Sequence, residues 1–209
     1  MYSSAESLAT TGRLWLRDAL TEVELAPLDG LKHNARLATL PALGPLTKLI
    51  HTLLPSAQPT RAVAFNKTPE ANWGVPWHQD RIIAVKARHD IAGYTNWSAK
   101  QGQWHCEPPL ALLQNMLFVR LHLDPCDAST GAMEIALGSH VEGAVVATQA
   151  EATANRYPLE LCTARRGDVL ILNMLTLHRS LPATIATTRR TLRVDYTAAA
   201  LPPPLQWAT

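Results

Sequence analysis

From Arg61 onward the chain is built of short apolar or β-branched runs, each broken within a few residues by Gly, Pro, Asn or Asp. That texture is how many short strands with irregular connections appear in a sequence. The segments that carry it are RAVAFN, RIIAVKA, NMLFVRLHLD, AMEIAL, LELCTA, DVLILN, LTLHRSL and RRTLRVDYTAA. Eight short strands behind a helical face are what a double-sheet jelly roll requires, so the expected class is mainly β.

The helical face is expected in residues 1–60. TTGRLWLRDALTEVEL carries Leu14, Leu16, Ala19, Leu20 and Val23 at mostly helical spacing behind the possible caps Thr10 and Thr11. GPLTKLIHTLL reads as a second helix, with Gly44 and Pro45 at its start and Pro55 beyond its end. Residues 61–200 form the expected jelly-roll core. Within them, the stretch at about 88–115 is too long and too rich in Trp, Gly and Pro for a simple turn, and is expected to be a substrate-covering lid with a short helix at PPLALLQ. The Pro run in the tail AAALPPPLQW bars a regular helix or a central strand. At 209 residues, one domain is the better expectation than two small ones.

Composition excludes several classes of function. Hydrophobic residues make up 47% and charged residues 17%, enough for a packed core. The nineteen Lys and Arg are dispersed and the net charge is only +2, so the electrostatic stripe that nucleic acid demands is missing. No apolar run is long enough to span a membrane, and MYSSAESLATTGR lacks the pattern of a secretory leader, which points to the cytosol. Cys106, Cys126 and Cys162 are an odd, scattered set with no C-x-x-C pair, and read as reduced thiols.

The chemistry concentrates in VPWHQD. On an extended segment His78 and Asp80 share one face, with Cα atoms roughly 6 to 7 Å apart, so both can reach one metal ion. An imidazole and a carboxylate, joined by a second imidazole from elsewhere, make the 2-His-1-carboxylate triad that leaves open positions on iron for a co-substrate and O₂. Alone, H-x-D is a common surface pair; here it is flanked by an aromatic residue, a Pro and the apolar run IIAV. For the third ligand, His33 and His51 lie in the helical region, His89 and His105 bracket the long loop, and His122 and His140 suit hydrogen-bonded core and turn positions. His178 is the best candidate, because it lies in a strand-like run shortly ahead of an Arg-bearing strand.

An α-keto acid that chelates iron carries a second carboxylate at its far end, and inside a barrel that group needs a cation. Arg binds a carboxylate through a planar fork and stays charged when buried. RRTLRVDY offers Arg189 and Arg193 on one face and Arg190 on the other, and alternation alone does not say which face looks inward. Ser180, two residues after His178, would point to the same side as that ligand and offers a hydroxyl.

Together WHQD, FVRLHLDPCDASTGAMEIALGSH and LHRSLPATIATTRRTLRVDY resemble the phytanoyl-CoA dioxygenase family of Fe(II)- and 2-oxoglutarate-dependent oxygenases, from about Val63 to Trp207. The resemblance implies a double-stranded β-helix, a cupin-like jelly roll, with His78, Asp80 and His178 holding iron. It places the co-substrate arginine at Arg189 and its H-x-S serine at Ser180. It further implies use of O₂, release of succinate and CO₂, and hydroxylation of a small organic metabolite; Asp80 disfavours halogenation. The chain is short for the family, and AMEIAL replaces Pro, Leu and Arg found in many relatives, which is expected to reshape one wall.

Asn66, Lys67, Trp73, Trp97, Trp104, His105 and Arg120 are the candidates for the substrate wall, with Asp124 or Glu134 as an alternative ion-pair partner for Arg120. Two rival functions share the pattern: a jelly roll that binds a metal or ligand without turnover, and a zinc hydrolase with His and Asp ligands. The second gives no role to a carboxylate-binding Arg beyond the distal His. Oligomeric state is not legible from these residues.

Overall fold

The computed structural model describes residues 4–31, 37 and 43–208. His33 lies outside them. Twelve strands occur among the described residues: β1 (Arg13–Leu16), β2 (Gln58–Lys67), β3 (Val75–His78), β4 (Ile83–Val85), β5 (Thr95–Lys100), β6 (Gln103–Glu107), β7 (Met116–His122), β8 (Met133–Ala136), β9 (Leu159–Leu161), β10 (Val169–Asn173), β11 (His178–Ser180) and β12 (Arg189–Thr197). They form a five-stranded sheet in the order β1-β10-β7-β12-β2, a four-stranded sheet β3-β11-β8-β9 and a three-stranded sheet β4-β6-β5, with every pairing antiparallel. The architecture is the jelly roll, and all eight expected segments supply strands to it.

Alternation sorts each strand of the large sheet. One face presents Ala62, Ala64, Val119, Leu121, Val169, Ile171, Leu192 and Val194 to a core completed by Leu25 and Leu28 and by Leu46 and Ile50 of a helix at Gly44–His51. Each fully buried aliphatic side chain there contributes about 1.5–3 kcal/mol. The opposite face looks into the barrel. Phe118, Leu170 and Leu172 meet Met133 and Ile135 of the smaller sheet and close one end of it.

One expectation needs correction. The stretch read as a first helix is instead a helix at Ser4–Thr11, strand β1 and a short helix at Glu22–Leu25. Gly12, at φ +70, turns the chain, and RLWL then alternates: Leu14 enters the outer core while Trp15 packs on the opposite side. β1 pairs with β10, Arg13 opposite Leu172, a contact invisible to local periodicity. Thr11 caps nothing; its hydroxyl donates to the Ser7 carbonyl at 2.7 Å.

The expected lid at 88–115 is the hairpin β5–β6 followed by a helix at Leu110–Gln114. Gln101 and Gly102, at φ 51 and 76, form the two-residue turn that matches strand twist. β6 continues onto β4, and Val85 bridges to Trp207 of the tail, so the segment is held in a sheet. No helix among the described residues is long and apolar enough to cross a membrane.

Candidate metal centre and co-substrate cavity

His78 ends β3 and His178 begins β11, and the two are directly opposite in the antiparallel register. Their ring centroids lie 4.2 Å apart. Asp80 lies two residues beyond the strand, and the intervening Gln79 pins the chain: its side-chain amide donates to the carbonyls of Gly143 and Leu175 at 2.8 and 2.7 Å and accepts from the Val145 N–H at 2.8 Å. One potential ligand atom from each of His78, Asp80 and His178 falls within 4.8 Å of the others.

The hydrogen bonds around this triad define which atoms face its centre. The Nδ1 of His78 lies 2.8 Å from the Pro76 carbonyl and that of His178 lies 2.9 Å from the Thr176 carbonyl. A carbonyl only accepts, so both Nδ1 atoms carry a proton, and each ring turns its Nε2 away from that carbonyl. His178 Nε2 lies 3.1 Å from Asp80 Oδ2. Two imidazoles and a carboxylate brought together in this way suit a non-haem ferrous ion.

Arg193 holds the carboxylate of this set. Its Nη1 pairs with Asp80 Oδ2 at 2.5 Å, while Nε and Nη2 donate to the two Asp195 oxygens at 2.7 and 2.9 Å. The guanidinium also lies over the Phe118 ring, 4.6 Å from its centroid. Burial pushes the Asp80 carboxyl up, but Arg193 and then His178 outweigh it and hold the group well below its ordinary range. Burial and the neighbouring His178 push His78 down, which keeps its ring neutral and available as a ligand. The sequence places Arg193 on the face of Arg189, but its partner Asp80 comes from more than a hundred residues away.

A cavity of about 250 Å³ opens from the triad into the barrel. Its far end holds Lys67, Ser180 and Arg189. Arg189 is 2% exposed, and its Nε and Nη1 have no hydrogen-bond partner. A buried fork of this kind is costly unless an anion meets it. Ser180 Oγ accepts from Lys67 Nζ at 3.1 Å and donates to the Gly131 carbonyl at 3.2 Å. Gly131 sits at φ +72, where an added Cβ would lie 2.6 Å from the Leu181 carbonyl and 2.9 Å from Lys67 Nζ. The Asp127 carboxylate orders the preceding turn by accepting from the Ser129 and Thr130 N–H groups at 2.9 and 3.1 Å.

The expected substrate wall is only partly drawn from the residues named for it. Lys67, Trp73 and Arg120 line the cavity. Asn66 does not, because alternation along β2 turns it away once Lys67 faces inward. Trp97 and Trp104 pack against the second apolar cluster, and neither they nor His105 borders the cavity. Pairing of the hairpin with β4 directs those side chains elsewhere. Arg120 has neither expected partner: Asp124 pairs with Arg190 and Glu134 with Arg179, both at 2.7 Å. His122 is buried as expected, yet neither ring nitrogen has a hydrogen-bond partner.

Comparison with known proteins agrees with this geometry. The structure of AviO1 from Streptomyces viridochromogenes Tue57 superposes with a TM-score of 0.64 at 17% identity, covering 96% of each chain. SnoK, a non-heme alpha ketoglutarate dependent carbocyclase from nogalamycin biosynthesis, gives a TM-score of 0.63 at 15% identity over 94% of this chain and 83% of its own. HygX from Streptomyces hygroscopicus, solved with nickel and 2-oxoglutarate bound, gives 0.61 at 15% identity over 93% and 85%. A search of curated protein sequences found no match. The sequence model of phytanoyl-CoA dioxygenase (PhyH) matches residues 29–191, and the chain belongs to that family of iron- and 2-oxoglutarate-dependent oxygenases.

Proposed function

We propose that this protein hydroxylates a small organic metabolite, with His78, Asp80 and His178 holding Fe(II) and Arg189 and Ser180 anchoring the distal carboxylate of 2-oxoglutarate. The observation that carries this reading is a single cavity with the His78–Asp80–His178 cluster at one end and, at the other, a buried guanidinium with two nitrogens that lack a hydrogen-bond partner. When bound, the iron supplies O₂ activation coupled to oxidative decarboxylation of the co-substrate to succinate and CO₂. The remaining steps belong to the chain. Backbone carbonyls fix both imidazole tautomers, Arg193 fixes the Asp80 carboxylate, and Phe118 and Met133 help keep water from the interior.

A small-molecule substrate is supported by the cavity's size and by HygX, which has also been solved with hygromycin B bound. The substrate approaches the metal past Trp73 and Val75, which line the same cavity. We take residues 1–209 as one oxygenase domain, since the cavity draws its walls from strands β2 to β12.

The test is anaerobic addition of Fe(II) and 2-oxoglutarate to the purified protein. A weak visible charge-transfer band should form, be absent with zinc, and be lost in Arg189→Ala. A wild-type protein that gives no band and releases no succinate with any substrate would leave the non-catalytic binding reading in its place.

A further inference from the structure

One inward row of β2 runs the length of the cavity. Arg61, Val63, Phe65 and Lys67 all belong to its lining, and six residues of extended chain put the two cations of that row about 20 Å apart along the strand. The register fixes their levels. Lys67 stands opposite Arg189, Val63 opposite Arg193 and Arg61 opposite Asp195. Because Arg193 holds Asp80, the metal-ligand triad is level with Val63, and Arg61 lies one inward position beyond it, on the side away from Arg189.

Arg61 is poorly answered where it stands. Its Nη1 donates to the Ile82 carbonyl at 3.4 Å and lies 3.8 Å from Asp195 Oδ2, both long for a charged donor. Arg193 takes both oxygens of Asp195 at shorter range, 2.7 and 2.9 Å. Nε and Nη2 of Arg61 make no hydrogen bond among the described residues, and its side chain is 24% exposed, within reach of whatever occupies the cavity. Burial and then Arg193 push the guanidinium down, a cost that an added anion would relieve. The charges at this end leave room for one anion. A ferrous ion, Arg193 and Arg61 carry four positive charges against three negative ones, from Asp80, Asp195 and the chelating carboxylate of the co-substrate.

We propose that Arg61 is a specificity-determining residue, and that the molecule oxidised is a small carboxylic acid whose carboxylate meets the Arg61 fork on the far side of the triad from Arg189. This rests on the reading of the protein as a 2-oxoglutarate oxygenase. The Nε and Nη2 edge presents two parallel donors, the arrangement that a carboxylate accepts bidentately. A single surplus positive charge matches a monoanion better than a phosphate ester, which carries close to two negative charges. In the sequence Arg61 is only the first residue of the RAVAFN segment. Its role comes from standing opposite Asp195, a carboxylate that Arg193 already occupies.

The experiment is calorimetric titration of the full-length protein, loaded anaerobically with Fe(II) and saturating 2-oxoglutarate, with butanoate, phenylacetate and N-acetylalanine and with the primary amide of each. Wild type should bind at least one acid about tenfold or more tighter than its amide, the ratio expected of a charge-assisted hydrogen-bonded pair. Arg61→Gln should cut that preference to less than about threefold while 2-oxoglutarate affinity stays within about threefold of wild type. Arg61→Lys, which keeps the charge but not the fork, should show an intermediate preference, and it serves alone if Arg61→Gln fails to fold. Acids that bind no better than their amides, detectably or not, overturn the assignment. So does a preference undiminished in either variant, or a loss shared equally with 2-oxoglutarate. Wild type that forms no charge-transfer band on loading overturns instead the oxygenase reading beneath it.

Discussion

Arg193→Met tests whether the inner face of β12 is held by charge. Arg193 is 3% exposed and Asp195 1%. Methionine keeps much of the length and the contact with Phe118 but removes three charged interactions, to Asp195 Oδ1 at 2.7 Å, Asp195 Oδ2 at 2.9 Å and Asp80 at 2.5 Å. The remaining ion-pair partner of Asp195 is Arg61, 3.8 Å away. Stripping one partner from a buried ion pair costs about 3–5 kcal/mol, and the distant Arg61 places the expected loss near the lower end, about 3 kcal/mol. In a chain of this size each kcal/mol shifts the midpoint by about 2–4 °C, so the metal-free variant should melt about 6–12 °C lower. Urea unfolding followed by tryptophan fluorescence measures the loss directly. Adding Asp195→Asn should recover at least half of it, because an amide needs no counter-charge. A loss below about 1 kcal/mol, or no recovery in the double variant, would show that the Arg193–Asp195 pair does not hold this face.

Other outcomes follow from the same network. Asp80→Ala should abolish succinate formation while shifting the melting temperature little, since Arg193 retains Asp195; retained turnover would remove Asp80 from the metal site. Burial, then the charges of Arg120 and Arg189, holds the His122 ring well below its ordinary value of 6.5. The folded chain therefore binds fewer protons than the unfolded one, and this stability is complete above about pH 6.5 and lost as pH falls toward the lowered folded value, at most about 1.4 kcal/mol per pH unit. His122→Leu should flatten the stability profile between about pH 6.5 and 5, and a slope identical to wild type would contradict the assignment.

The occupants of one sheet face illustrate how charge is shared across the barrel. β12 alternates Arg189, Thr191, Arg193 and Asp195 inward with Arg190, Leu192, Val194 and Tyr196 outward. Arg190 leaves the interior and donates to Asp124 at 2.9 and 2.7 Å. Arg193 pairs with Asp80 beside the triad, and Arg189 lines the same cavity near Lys67 and Ser180. Three arginines in five residues therefore take three roles, decided by the pleat and by which carboxylates the neighbouring strands bring near.

Local chemistry by itself determined much of this protein. Alternating apolar residues between turn formers marked the eight strand segments, and H-x-D on an extended segment marked two ligands that must share a face. It missed β1, whose partner strand lies over 150 residues further on, and the β5–β6 hairpin, whose Gln101-Gly102 turn was the available signal. Only the tertiary structure decided that Trp97 and Trp104 pack away from the cavity, that Arg193 grips Asp80, and that Asp124 and Glu134 neutralise Arg190 and Arg179 rather than Arg120. Side-chain direction along a strand is a property of two residues, whereas the partner of a buried charge depends on lateral strand order, and that order is settled only when the sheets close.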